Sequence, residues 1–210
     1  MVISSSPAKG RILRHTGDGS FVTHTDLSAL GQAWNEIVVD GRGNIYVNDV
    51  GFRFGQEQFR PGIIALVTPD GEARKAADNI AFPNGMVITP DNSTLIVAES
   101  FARTLTAFDI APDGSLSNRR VWASDIGADG ICLDADGAIW SPDIASGTPQ
   151  VVRLPEGGEV LQRMTLGAAC FHAARLRLRI PVTVGGPGPF RGLHLDFSGD
   201  EWARLLFDSP

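Results

Sequence analysis

The chain has 210 residues, of which 43% are apolar and 20% charged. These proportions are typical of a folded globular protein and exclude a disordered chain or a disulfide-stapled miniprotein. A net charge of -6 disfavours nucleic acid as a partner. No stretch of the sequence approaches the roughly 18 consecutive apolar residues of a membrane span, and residues 1–11 lack a signal-peptide pattern, so we expect a cytoplasmic protein.

Two kinds of segment alternate along the chain. In the first kind, an Asp, Asn or Gly turn precedes an apolar strand, as in residues 40–49, 89–100 and 134–143. In the second kind, a strand runs into an Asp-Gly or Glu-Gly turn, as in residues 10–19, 62–71, 105–114 and 150–159. With 24 Gly and 13 Pro and no long helical periodicity, the pattern predicts an all-β fold.

The spacing of these segments points to a specific architecture. The turn acids Asp18, Asp70, Asp113 and Glu156 are separated by 52, 43 and 43 residues. Repeats of about 40 to 50 residues, each with several short strands, are typical of β-propeller blades. A β-sandwich or barrel also has short strands and frequent turns, but it does not predict this long and regular spacing. Roughly four units fit between residue 1 and about residue 165.

The repeat ends near residue 170, so we divide the chain into a repeat region, residues 1–170, and an atypical tail, residues 171–210. Within the tail, residues 175–180 alternate between charged and apolar residues as an edge strand would, and residues 200–207 have the pattern of a short helix.

Cys132 and Cys170 belong to no paired-cysteine motif, and we predict that both are small buried thiols.

One polar residue precedes the strand core of each complete unit at a near-constant distance. Asn35, Asn84 and Asp129 lie 11, 12 and 11 residues before Tyr46, Ile96 and Trp140. Equivalent positions of successive blades share a radius and a height, so these side chains should converge on a central channel. Their oxygen atoms suit a hard cation such as Ca²⁺. Alternatively, Asn84-Gly85 and Asp129-Gly130 are ordinary hairpin turns. Trp34 adjoins Asn35 and is a candidate for stacking on a ligand.

Four ordered motifs, at residues 33–49, 82–100, 105–123 and 128–140, resemble the SMP-30/gluconolactonase/LRE family over roughly residues 2–171. The resemblance implies a six-bladed propeller with one Ca²⁺ or Zn²⁺ in its channel, and a metal-dependent hydrolase of small sugar-derived lactones. It also implies that Asn84 and Asp129 bind the metal, that Asp129 is the general base, and that Asn35 contacts the substrate or metal-bound water. We therefore predict substrate contacts from Trp34, Asn35 and Glu36.

The chain departs from the family pattern in three places. A first-blade Glu ligand of the family would precede Met1, and the Arg that binds sugar in gluconolactone-specific members is replaced by Ala33. After residues 169–175 the family pattern is lost, which suggests a frameshift or a mispredicted gene end. We therefore expect about four of six blades, weak metal binding and impaired lactonase activity.

Two other functions are compatible with the same residues. One is a non-catalytic propeller fragment that binds a ligand or protein, or self-associates through open blade edges. The other is a related propeller esterase that acts on a different ester, such as an organophosphate.

Overall fold

The computed structural model describes residues 3–6, 10–16, 18, 20–143, 150–165, 176–178 and 195–197, with the backbone alone at 3–6, 176–178 and 195–197. Within these residues every regular element is a β-strand. The strands are β1 (Ile3–Ser6), β2 (Arg11–His15), β3 (Phe21–Asp26), β4 (Trp34–Val39), β5 (Ile45–Asp49), β6 (Gly62–Val67), β7 (Ala73–Ile80), β8 (Pro83–Ile88), β9 (Thr94–Glu99), β10 (Thr104–Ile110), β11 (Leu116–Ser124), β12 (Cys132–Leu133), β13 (Ile139–Asp143), β14 (Gln150–Leu154), β15 (Gln162–Thr165), β16 (Leu176–Leu178) and β17 (Leu195–Phe197).

The strands form successive antiparallel sheets, as predicted for propeller blades. β1 to β3 form a three-stranded sheet, and β4–β7, β8–β11 and β12–β15 each form a four-stranded sheet in chain order. β16 pairs with β17 in a separate hairpin. The all-β prediction is therefore confirmed, and the four larger sheets match the four predicted units.

The turns between the first and second strands of the sheets follow from their aspartates. Asp40 accepts hydrogen bonds at Oδ1 from the backbone N–H groups of Arg42 and Asn44. Asp134 accepts the equivalent bonds from Asp136 and Ala138. Because a short carboxylate satisfies the turn's N–H groups locally, it favours the chain reversal that the sequence motif predicted.

The hydrophobic core lies between neighbouring sheets rather than within one sheet. It consists of three clusters, which join the first sheet to the second, the second to the third and the third to the fourth. In this order, their fully buried members include Ile12, Leu27, Ile45, Val47, Ala65 and Val67; Tyr46, Ile64, Leu66, Leu95 and Val97; and Ile96, Leu105, Ala107, Ile139 and Val152. This arrangement is the one expected of blades that pack face to face around an axis.

The innermost strands of the three four-stranded sheets are neighbours, since β4 contacts β8 and β8 contacts β12. Antiparallel order places the start of each innermost strand on the same face as the end of the second strand and the start of the third. The β5–β6 and β9–β10 connections therefore lie at this face, which is where the candidate site is found.

Other sequence predictions have mixed outcomes. Cys132 is buried, and burial raises the pKa of its thiol to about 11, so the buried-thiol prediction is confirmed there. β16 lies inside the strand predicted at residues 175–180. Cys170, the helix predicted at 200–207 and the boundary near residue 170 lie outside the described residues. Among the residues that are described, no helix is long and apolar enough to span a membrane.

Candidate functional site

A cavity of about 530 Å³ opens where β4, β8 and β12 begin. All five predicted site residues line it. They are Trp34, Asn35, Glu36, Asn84 and Asp129. The structure therefore brings together residues separated by up to 95 positions in the chain. Their functional roles remain predictions.

The two asparagines occupy matching β-bulges. Trp34 pairs with Asp49 and Ile37 with Val47, so Asn35 and Glu36 on β4 lie opposite the single residue Asn48. On β8, Asn84 and Gly85 lie in the same way between two paired positions. A bulge redirects a side chain out of the normal strand alternation. Both asparagines are thereby positioned at the cavity by the same backbone irregularity.

Asp129 lies at the corresponding point of the next sheet. It precedes Cys132 by three residues, and Cys132 pairs with Trp140. Asn84 precedes Val87 by the same interval, and Val87 pairs with Ile96 at the equivalent position of β9. The structural equivalence of the three polar residues thus agrees with their spacing in the sequence.

The amide groups of both asparagines are oriented by hydrogen bonds. Asn35 donates from Nδ2 to the carbonyl oxygen of Pro83 over 3.4 Å, and Asn84 donates from Nδ2 to Ser100 Oγ over 3.4 Å. Neither Oδ1 atom accepts a hydrogen bond from the described residues, and neither is among the buried polar atoms that lack a partner. Both carboxamide oxygens are therefore accessible to a ligand.

Asn48 is a buried residue that binds the backbone of two site segments, and the sequence patterns did not identify it. This side chain is 0% exposed, accepts a hydrogen bond from the Glu36 N–H over 3.0 Å, and donates to the Asn84 carbonyl oxygen over 2.6 Å. It therefore joins the β4 bulge to the β8 bulge. Its only sequence signal is a polar residue that follows three apolar or aromatic residues in β5.

Replacing Asn48 with alanine should lower the free energy of unfolding by about 2 kcal/mol, because two partly buried hydrogen bonds to the backbone of Glu36 and Asn84 are lost. It should also reduce any ligand response of the site. Urea unfolding and cation-dependent melting would measure the two effects. Asn44→Ala is the matched control, since Asn44 is buried and bonds to Asp40 in a turn on the opposite face. A full cation response in Asn48→Ala would contradict this role.

Buried carboxylates hold the segments that lead into β4 and β8. Asp49 Oδ2 accepts the Ala33 N–H over 2.5 Å, and Glu99 Oε2 accepts the Ala81 N–H over 2.7 Å. Glu99 also accepts hydrogen bonds from Thr106 and Arg119. Both acids end the second strand of their sheet, so the same device sets the path of the chain just before each site asparagine.

Gly85 brings the β8 bulge against the segment that carries Asp129. Its N–H donates to the Asp129 carbonyl oxygen over 3.0 Å. A Cβ atom at position 85 would lie 2.5 Å from Ile131 N and 2.8 Å from that same oxygen. Only glycine permits this approach without displacing backbone. The Asn-Gly pair is therefore part of the packing between two sheets rather than a hairpin turn.

Trp34 has a larger structural role than the sequence predicted. It is 5% exposed and belongs to the core between the first two sheets, and its Nε1 donates to the Gly31 carbonyl oxygen over 3.2 Å. A tryptophan with these contacts contributes mainly to packing, although it still lines the cavity.

Comparison with known proteins identifies the family. The family described as SMP-30/Gluconolactonase/LRE-like region matches residues 5–176. The chain belongs to this family. Among curated relatives, diisopropyl-fluorophosphatase of Loligo vulgaris is 28% identical over 70% of this chain, and regucalcin of Gallus gallus is 26% identical over 77%. The chain spans 52% and 62% of the lengths of these two proteins.

Solved structures support the same assignment. A gluconolactonase from Xanthomonas campestris is 26% identical, with a TM-score of 0.62 over 79% of this chain and 58% of its own. A luciferin-regenerating enzyme is 18% identical, with a TM-score of 0.64 over 79% of this chain and 61% of its own. The second match concerns the fold alone. The resemblance to the SMP-30/gluconolactonase family seen in the sequence is confirmed.

The polar residues that line the cavity are of the types that bind a hard divalent cation. The candidate ligand atoms in the cavity are the carboxamide oxygens of Asn35 and Asn84 and the carboxylate oxygens of Glu36 and Asp129. The lining residues of the described chain include neither His nor Cys, and no three His, Cys, Asp or Glu side chains cluster there. An all-oxygen set matches Ca²⁺ better than Zn²⁺, which usually binds nitrogen or sulfur.

Proposed function

We propose that the chain is a metal-dependent hydrolase of lactones and related carboxylic esters, and that it acts in this cavity. The observation that carries the proposal is the placement of Asn35, Asn84 and Asp129 at equivalent positions of three neighbouring sheets, around one cavity. The family match and the similarity to a gluconolactonase and to diisopropyl-fluorophosphatase support hydrolysis as the reaction class.

Each polar residue has a distinct role in this proposal. Asn84 and Asp129 hold the cation through their side-chain oxygens, and Asn35 contacts the substrate. A bound divalent cation supplies positive charge that polarises the ester carbonyl and makes water more acidic. Asp129 accepts a proton from the attacking water at its carboxylate while the water oxygen bonds to the carbonyl carbon. It then returns the proton to the departing alkoxide, and the ring opens to a hydroxy acid.

We propose weak affinity for the cation. Asn84 and Asp129 together carry one formal negative charge, and Glu36 adds a second charge at the cavity. Calcium sites with few carboxylates bind in about the 10⁻⁴ to 10⁻³ M range, because affinity rises with ligand charge. The same two carboxylates disfavour anionic substrates and favour neutral esters.

Thermal unfolding with and without Ca²⁺ is the first test of the cation site. At ten times Kd the cation adds about 1.4 kcal/mol to the stability of the folded state, which raises Tm by about 3–6 °C in a domain of this size. Asn84→Ala should remove this shift. Gln162→Ala, which deletes an exposed carboxamide on β15, should retain it. Equal shifts in both variants would place the cation elsewhere.

Hydrolysis is tested on the chelator-treated protein with added Ca²⁺ or Zn²⁺. The substrates are δ-gluconolactone for the sugar-lactone function predicted from the sequence, γ-butyrolactone for a plain lactone, and 4-nitrophenyl acetate for an open ester. We expect turnover that needs the cation. Cation binding with no turnover of any of these substrates would overturn the hydrolase proposal and favour a non-catalytic binding module.

A further inference from the structure

Five phenylalanines form one continuous surface beside the polar site, here called the phenylalanine wall. They are Phe52, Phe54, Phe59, Phe82 and Phe101. The ring of Phe52 lies 5.6–6.4 Å from the other four ring centroids, and Phe82 stacks on Phe101 at 4.6 Å. Most of the pairs meet edge to face, the geometry that aromatic rings prefer.

The wall is open to the cavity and to solvent. Phe52 is 5% exposed, whereas Phe54, Phe59 and Phe101 are 69%, 49% and 50% exposed. All except Phe59 line the cavity that also contains Asn35, Asn84 and Asp129. Single exposed phenylalanines are common, but a contiguous set that rims a cavity with convergent polar groups is typical of a ligand site.

The backbone of Phe82 has a strained conformation, and the side chain of this residue lines the cavity. Phe82 has φ of 61°, a left-handed conformation that is unfavourable for a bulky residue. Hydrogen bonds from Ser100 N–H to the Phe82 carbonyl and from Phe101 N–H to the Ala81 carbonyl hold it there. Such outliers persist where the surrounding structure fixes them, and they cluster at functional sites. Asn84 is two residues further along, so one segment presents both ring and carboxamide.

The chemistry of the lining disfavours a polyhydroxylated substrate. Asn35, Asn84 and Asp129 are assigned to the cation and the reacting ester, so Glu36, Arg53 and Ser100 are the remaining side chains with charged or hydroxyl groups among the described lining residues. A sugar lactone has a hydroxyl on nearly every carbon. Hydroxyls placed against the wall would lose water without gaining hydrogen bonds, whereas an apolar group would gain contact.

We propose that the phenylalanine wall is a specificity subsite for an aryl group, so that the substrate is an aryl-substituted lactone or ester rather than a sugar lactone. This inference rests on the proposed function for the identity of the reacting group. The cavity volume of about 530 Å³ falls in the range that accommodates such a molecule.

The first experiment compares γ-phenyl-γ-butyrolactone with γ-butyrolactone, which share the reactive ring and differ in the phenyl group. We expect kcat/KM at least tenfold higher for the phenyl lactone and higher than for δ-gluconolactone. Phe54→Ala and Phe101→Ala should each reduce the ratio of kcat/KM for the phenyl lactone to kcat/KM for γ-butyrolactone several-fold. Phe21→Ala is the matched control, since Phe21 is 54% exposed on β3, outside the cavity.

A binding arm separates this inference from the hydrolase proposal. 5-Phenyl-2-pyrrolidinone and 2-pyrrolidinone are the corresponding lactams, and calorimetric titration measures their Kd without turnover. We expect at least tenfold tighter binding of the phenyl lactam, and loss of that difference in Phe101→Ala. If this result appears without any lactone hydrolysis, the subsite is supported and the hydrolase proposal fails.

Other outcomes overturn the subsite. Equal affinity for the two lactams, or a phenyl preference that survives both Phe54→Ala and Phe101→Ala, would show that the wall does not select the ligand. Gel filtration of the wild type and the two variants is run in parallel. A dimer that dissociates on substitution, together with unchanged lactam affinities, would make the wall a contact between two copies of the chain.

Discussion

Replacing Asp129 with asparagine should lower kcat for lactone hydrolysis by about 10²- to 10⁴-fold, the usual contribution of a positioned general base. The carboxamide has nearly the same shape as the carboxylate but cannot accept the proton of the attacking water. The backbone carbonyl of Asp129, which accepts the Gly85 N–H, is unchanged by the substitution, so the fold should persist.

The measurement is kcat and KM for the best lactone at saturating Ca²⁺, together with Tm. Saturation matters because the substitution also removes a charge from the proposed cation site. Asp125→Asn is the matched control. Asp125 is an exposed residue four positions earlier in the same segment, with φ of 60°, which asparagine tolerates. Equal activity in the two variants would exclude Asp129 as the base.

Replacing Gly85 with alanine should destabilise the protein by about 3 kcal/mol, because a Cβ atom would collide with backbone that cannot easily move. The contacts are Ile131 N at 2.5 Å and the Asp129 carbonyl oxygen at 2.8 Å. Relief requires that the third and fourth sheets separate at this point. Asp129 would move with its backbone, so the Ca²⁺-dependent rise in Tm should also decrease.

Urea unfolding of Gly85→Ala is compared with that of Gly137→Ala. Gly137 has φ of 82°, and a Cβ atom added there would have no neighbouring atom within 4 Å, so its substitution measures a backbone cost of about 1 kcal/mol without any steric collision. If Gly85→Ala lost no more stability than Gly137→Ala, the third and fourth sheets would be able to move apart at residue 85 without cost. The close packing would then not require glycine at this position.

The sequence predicted the repeat and the positions of Asn35, Asn84 and Asp129 because both depend on local patterns. Turn residues, apolar alternation and near-constant spacing are visible along the chain, and equivalent positions in a repeat are equivalent in space. The turn interpretation of Asn84-Gly85 was the weaker alternative, since in the structure the pair forms a bulge and packs against residues 129–131.

Asn48 and the phenylalanine wall could not be predicted in the same way. Asn48 is one of two polar residues at the end of β5, and its importance comes from contacts with Glu36 on its own sheet and with Asn84 on the next sheet. Phe52, Phe54 and Phe59 lie in the β5–β6 connection, outside the repeated segments. Their meeting with Phe82 and Phe101 depends on how two sheets are placed beside each other.

The sharing of each hydrophobic cluster between two sheets has a consequence for how the protein folds. A sheet that lacks its neighbour leaves one apolar face in water, so stability is carried by the junctions and propagates from one unit to the next. Asn35, Asn84 and Asp129 belong to three consecutive units. Their cavity therefore exists only after two junctions between sheets have formed. Any ligand that binds there stabilises those two junctions as well.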